Sequence, residues 1–173
     1  FPKEFSVSGI TRCRLQMLRT EPQPQNFTLK PFVLGGLSLP RYSSFANCPS
    51  LPTLVEYQKK HLGPYVDHGI HVIAAQEGDG SITIGDSHSY GVAHKNEALP
   101  GINDLILAEL DELIELKHRK IHQSWVGHYA YKAGQDVAVL KPKKGITAVT
   151  MTNGQGMTHA FSVAQNVMHE LLV

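Results

Sequence analysis

The chain has 173 residues and a formal net charge of +1, with 42% hydrophobic and 18% charged residues. That balance suits a globular domain able to bury a full core, and it makes no case for a nucleic acid or an anionic membrane as partner. No apolar run approaches the ~18 residues a membrane helix needs, and the opening residues lack a signal-peptide pattern. The two cysteines, Cys13 and Cys48, could pair, but they read better as two buried thiols in a reducing compartment, with a cytoplasmic protein expected.

In chain order, Arg12–Thr20 alternates polar with less polar residues up to Met17 and predicts a strand with one wet face. Pro22 and Pro24 stop it, because proline cannot join a ladder. Phe32-Val33-Leu34, Gly35-Gly36 and Leu37-Ser38-Leu39 read as strand, bend, strand. Leu51–His61 reads as a helix opening at Pro52 or Thr53. His68–Gln76 and Ser81–Ser87 are the clearest strands, and Glu77-Gly78-Asp79-Gly80 links them as an antiparallel hairpin.

Pro100-Gly101 opens a helix with Leu105, Ile106, Leu110, Leu113 and Ile114 on one face. Lys117, His118, Arg119 and Lys120 close it, the charge sign a helix C-terminus prefers. Gln123–Tyr131 and Asp136–Leu140 predict two more strands, and Trp125 with Tyr129 reads unaided as an aromatic pair facing a core. Ile146–Met151 is a β-branched strand, followed by Thr152-Asn153-Gly154-Gln155-Gly156-Met157-Thr158 and a helix. Met157, Phe161, Ala164, Met168 and Leu171 mark its apolar face, with Val163 and Val167 alongside. The predicted class is α+β, a mostly antiparallel sheet with packed helices.

A strand that turns through glycine into a helix start leaves several N–H groups aimed at one spot and lets a ligand approach the backbone. The helix dipole favours negative charge there by ~0.3–1 kcal/mol. The turn is not a Walker loop, because no Gly-Lys-Ser/Thr follows, and it lacks the third glycine of the dinucleotide fingerprint. The ten histidines invite a metal reading. However, His68 and His71 sit three apart in a predicted strand and face opposite sides, while His118 and His122 straddle a helix end. The densest polar cluster is Gly85-Asp86-Ser87-His88-Ser89-Tyr90-Gly91 with His94. It matches no zinc signature, and sequence neighbours such as Asp86, Ser87 and His88 point in different directions, which disfavours a hydrolytic triad. No metal site is expected on these grounds.

Cys13–Thr20, Gly36–Leu39, Gly69–Val72, Gly85–Gly91, Trp125–Gly127 and Asn153–Thr158 together resemble the D-amino-acid-oxidase-like FAD oxidoreductases, in a subfamily with relatives associated with phosphonate catabolism. The resemblance implies a substrate domain over residues 1–145. Residues 146–173 would be the closing strand, Gly turn and helix of an FAD domain. It implies oxidation of an amine or amino-acid-like substrate at a C–N bond with hydride passing to flavin. Gly154, Gln155, Gly156, Met157 and Thr158 would lie against the flavin, and Asp86, His88, Trp125 and Tyr129 would line the substrate side.

Two departures qualify it. Gly-x-Gly-x-x-Gly is nowhere in these residues, so the ADP-binding half is expected upstream. The fragment alone is expected to lack FAD and to pair as a homodimer through the uncovered surface. The family's Trp-x-Gly-x-Arg-Pro pattern reads Trp125-Val126-Gly127-His128-Tyr129-Ala130, so the arginine fork that grips a carboxylate is replaced by Tyr129. A plain α-amino acid is therefore disfavoured as substrate. The alternative is a non-catalytic binding or interaction module derived from such a domain.

Overall fold

The computed structural model describes residues 1–91 and 97–172. Among the described residues eight strands run in chain order: β1 (Thr11–Thr20), β2 (Val33–Leu34), β3 (Ile73–Gln76), β4 (Ile82–Gly85), β5 (Ser89–Tyr90), β6 (Ile121–Tyr131), β7 (Val137–Lys143) and β8 (Ile146–Met151). The α-helices are α1 (Pro2–Val7), α2 (Leu51–His61), α3 (Gly63–Asp67), α4 (Ile102–Asp111) and α5 (Gly156–Leu172). The larger sheet has the order β2-β3-β4-β1-β5 with β6 also on β1, and β7 pairs with β8 in a second sheet. The strand pairings resolved residue by residue are antiparallel. The chain is therefore α+β and built mostly on antiparallel sheet. Among the described residues no helix is long and apolar enough to cross a membrane.

Two compact units interleave along the chain. One holds the described residues of Arg14–Ser89 and Lys95–Gly127, the other those of Phe1–Cys13, Tyr90–His94 and His128–Val173. The first unit owns the main core. Leu18 of β1, Ala74 of β3, and Ile82 and Ile84 of β4 pack with Ile102, Ile106 and Leu110 of α4. The α4 residues recur at steps of four, which is why one stripe of that helix is buried and the rest is not. Glu77–Gly80 makes the turn between β3 and β4, where Gly80 N–H donates to Glu77 C=O at 2.9 Å. The register Gln76↔Ile82 through Ile73↔Gly85 follows from it.

In the second unit, β7 and β8 form a hairpin and α5 lies beside β8. Ala160, Val163, Ala164, Val167 and Leu171 line a groove of about 380 Å³ with Val149 and Met151. Thr152, fully buried, pins the exit from β8: its N–H donates to Asp136 C=O at 2.8 Å and its hydroxyl to Gln135 C=O.

Four expectations need correction. Leu37–Leu39 is not a strand but part of a 3-10 helix, Gly36–Arg41. Pro40 has no N–H for a ladder, and Ser38 N–H closes a tight turn on Gly35 C=O at 3.1 Å instead. The strand expected from His68 begins only at Ile73, because Ile70 N–H turns back to Tyr65 C=O at 2.8 Å. Helix α4 ends at Asp111, so Lys117–Lys120 do not cap it. The carbonyl of Gln23's buried amide accepts the N–H groups of both Lys117 and His118 at 3.0 Å, drawing that segment away from helical bonding. Cys13 is buried as expected, but Cys48 is exposed, on a loop just before α2; the two are not bridged.

Ile106 is fully buried at the centre of α4's apolar stripe. Ile106→Ala should cost ~2–5 kcal/mol of stability, the range for truncating a packed aliphatic side chain. Urea unfolding with an unchanged slope and a lowered midpoint is the expected readout; a midpoint within experimental scatter of the parent would show that this stripe does not carry the core.

Candidate functional site

The hairpin places the most concentrated chemistry in the larger unit. Beyond the last ladder pair, Ile73↔Gly85, the two chains stay together through a reciprocal pair of backbone bonds. His71 N–H donates to Asp86 C=O at 2.9 Å, and Asp86 N–H to His71 C=O at 3.0 Å. One step further, His88 N–H donates to His68 C=O at 3.1 Å. Gly69 makes this approach possible. Its φ is +56°, and a Cβ there would fall 2.9 Å from His88 Cβ and 3.0 Å from His88 C=O. Glycine is required at 69 on both counts.

The backbone arrangement turns three side chains towards one another. Asp86 Oδ1 lies 3.4 Å from His71 Nδ1 and 3.3 Å from His88 Nδ1, and ligand-capable atoms of all three residues lie within 4.8 Å of one another. These are ion-pair distances, but the angles do not make hydrogen bonds: His71 Nδ1 and Asp86 Oδ1 are buried with no hydrogen-bond partner. The rings of His71 and His88 meet edge to face, 5.6 Å between centroids.

Each histidine is steadied at a further contact. His71 Nε2 lies 3.2 Å from the Tyr42 hydroxyl. His88 Nδ1 also lies 3.1 Å from Gly69 C=O. Burial drives the His88 pKa down to about 4, against the opposing pull of Asp86, so the ring is neutral near pH 7. Burial likewise raises the Tyr42 pKa, which keeps the phenol protonated. The cluster is a carboxylate held between two imidazoles, able to bind a cation or to share a proton.

Of the residues expected on the substrate side, the fold unites Asp86 with His88. Trp125 belongs to the same unit, half-buried on β6. Tyr129 belongs to the other unit, where its ring lies under the turn before α5. A Cβ on Gly154 would come within 3.1 Å of Tyr129 Cζ, and Gly154 has φ +81°. Tyr129 is thus a neighbour of the expected flavin turn. His94 lies outside the described residues.

The turn itself is braced by Asn153. Its Oδ1 accepts Gln155 N–H at 3.0 Å, and its amide N–H donates to Gln155 Oε1 at 3.2 Å. His159 N–H bonds Gln155 C=O at 3.1 Å. The N–H groups of Gly156, Met157 and Thr158 come before that bond, in the first turn that a helix leaves without internal acceptors. Met157 and Phe161 are 97% and 91% exposed, so an apolar flank of α5, beside the face that meets β8, is uncovered within its own unit.

Reasoning along single strands missed His71 and Tyr42 as members of the cluster. The hairpin's register does not reveal His71: continued outward from Ile73↔Gly85 it would set Val72 opposite Asp86, and a one-residue shift past the ladder brings His71 there instead. Nothing local to Tyr42 marks it, since the 3-10 segment that delivers it reads as strand. No family model matches the chain, and neither a curated protein nor a solved structure does.

Proposed function

We propose that this chain is the substrate-side and flavin-closing part of an FAD-dependent oxidoreductase that oxidises an amine or amino-acid-like substrate at a C–N bond. The observation that carries the reading is the turn Asn153–Thr158 at the start of α5. The first-turn N–H groups of Gly156, Met157 and Thr158 precede the helix's first internal bond, His159 N–H to Gln155 C=O. A Cβ on Gly156 would meet only Met151, at an ordinary 3.6 Å. The chain's own packing therefore does not demand glycine at 156, whereas a flat ring lying against the backbone does.

In this reading Gly154, Gln155, Gly156, Met157 and Thr158 hold the pyrimidine side of the flavin. The dipole of α5 stabilises negative charge developing on it by ~0.3–1 kcal/mol, more where water is excluded. The flavin, when bound, supplies the hydride acceptor. In the larger unit Asp86 offers the partly exposed edge of the carboxylate–imidazole cluster and Trp125 an aromatic face; in the other unit Tyr129 lies beside the flavin turn. Tyr129 in place of a guanidinium fork favours an amine without an α-carboxylate.

The exposed apolar side of α5, from Met157 and Phe161 to Leu172 at 80% exposure, supports a second reading. It is the alternative of an interaction module, in which that surface meets a protein partner and no flavin is involved.

Two measurements separate them. In the protein translated from the whole reading frame, Gly156→Val should lower flavin content or turnover by at least tenfold while leaving the unfolding midpoint nearly unchanged. Unaltered flavin content and kinetics would remove the turn from the site. The 173-residue chain alone has no dinucleotide fingerprint. It should purify colourless and scatter light as a pair of 19.1 kDa chains, associated through the α5 face. Tightly held flavin in the isolated chain would contradict the first expectation, and a clean monomer the second.

A further inference from the structure

We propose that His71, Asp86 and His88 form a binding site for one divalent transition-metal ion of the zinc class, with His71 Nδ1, Asp86 Oδ1 and a ring nitrogen of His88 as ligands. The inference shares Asp86 and His88 with the substrate side of the flavin reading but does not rest on it.

The first support is an unmet need. His71 is 3% exposed, and both its Nδ1 and Asp86 Oδ1 are buried without a hydrogen-bond partner. With the His71 proton on Nε2, facing the Tyr42 hydroxyl, two lone-pair atoms stand 3.4 Å apart there and repel each other unless something positive lies between them. A second imidazole nitrogen, His88 Nδ1, reaches the same oxygen at 3.3 Å. Three donors thus converge where hydrogen bonds do not satisfy two of them.

Two of the three donor separations fit a tetrahedral ion. Ligands ~2.0–2.1 Å from a tetrahedral centre are separated by about 3.3 Å, which both observed separations match. An octahedral centre with similar arms would bring adjacent ligands to about 3.0 Å. Two imidazoles and one carboxylate are also a donor set suited to zinc, with a fourth position open to water or a substrate atom.

The surroundings of the cluster have the form that a metal site requires. A metal-bound imidazole characteristically donates its other N–H to an oxygen, which fixes the ring. The Tyr42 hydroxyl stands 3.2 Å from His71 Nε2, in position to accept that proton. The reciprocal His71–Asp86 backbone bonds and the contact of Gly69 with His88 hold the ligands in place before any ion arrives. Entry is through Asp86, whose side chain retains 15% of its exposure.

The test uses the full chain, stripped with a chelator and titrated with Zn2+ and, separately, with Co2+ as a spectroscopic probe. One equivalent of each should bind, and Co2+ should show the intense visible bands of a four-coordinate site. Asp86→Asn and His71→Ala should each weaken binding by at least 100-fold, with far-UV circular dichroism reporting whether the variant is folded. Tyr42→Phe leaves all three ligands in place and should weaken binding about 10–100-fold at unchanged stoichiometry. That variant decides the matter if the ligand variants fail to fold. No stoichiometric uptake by the parent would overturn the site in favour of a proton held between His71 and Asp86. Equal uptake by parent and folded Asp86→Asn, or by parent and Tyr42→Phe, would overturn it in favour of exposed histidines.

Discussion

The larger unit depends on one continuation of its hairpin. Past the end of the β3–β4 ladder, the reciprocal bonds between His71 and Asp86 hold the two segments together with the register shifted by one residue, Val72 being the extra one. Each bond contributes only ~0.5–1.5 kcal/mol net, but register is discrete: a shift of one residue would turn the side chains to the opposite face. The same two bonds therefore decide that His71, Asp86 and His88 meet inside the unit. Gly69 is the enabling residue, since any side chain there would strike the His88 backbone.

Electrostatics makes that meeting consequential. An ionised carboxylate taken from water costs several kcal/mol unless partners replace its hydration. Asp86 stays close enough to the surface to remain solvated on one side, while its Oδ1 faces the two imidazoles. His88, buried and neutral at pH 7, cannot compensate that oxygen with a full charge. Ions and protons both satisfy such a site, and the choice depends on geometry, which is why the 3.3–3.4 Å separations matter more than the mere presence of histidines.

Much of this was legible in the sequence where a pattern is local. The Gly-rich link Glu77–Gly80 and the β-branched runs around it are sufficient for the hairpin, and the four-residue steps in α4 for its buried stripe. Long-range competition was not legible. Gln23, almost a hundred residues away, captures two N–H groups at Lys117 and His118 and so removes the basic end assigned to α4. In α5 the periodicity is right but the covered face is not evident from it. Ala160, Val163 and Val167 turn to β8, whereas Met157 and Phe161, the first two residues of the expected stripe, are left uncovered. Periodicity identifies an apolar side; only the tertiary partner determines which part of it is satisfied.

The α5 turn and its exposed side carry the functional account, because they are where this chain has backbone donors and apolar surface without a use of their own. The most direct measurement is an anaerobic titration of the protein translated from the whole reading frame with primary amines, followed in the visible spectrum. The account predicts flavin bands that bleach on addition of an amine lacking an α-carboxylate, and bleach less readily with simple α-amino acids. A protein that binds no flavin, or one whose flavin no amine reduces, would contradict it.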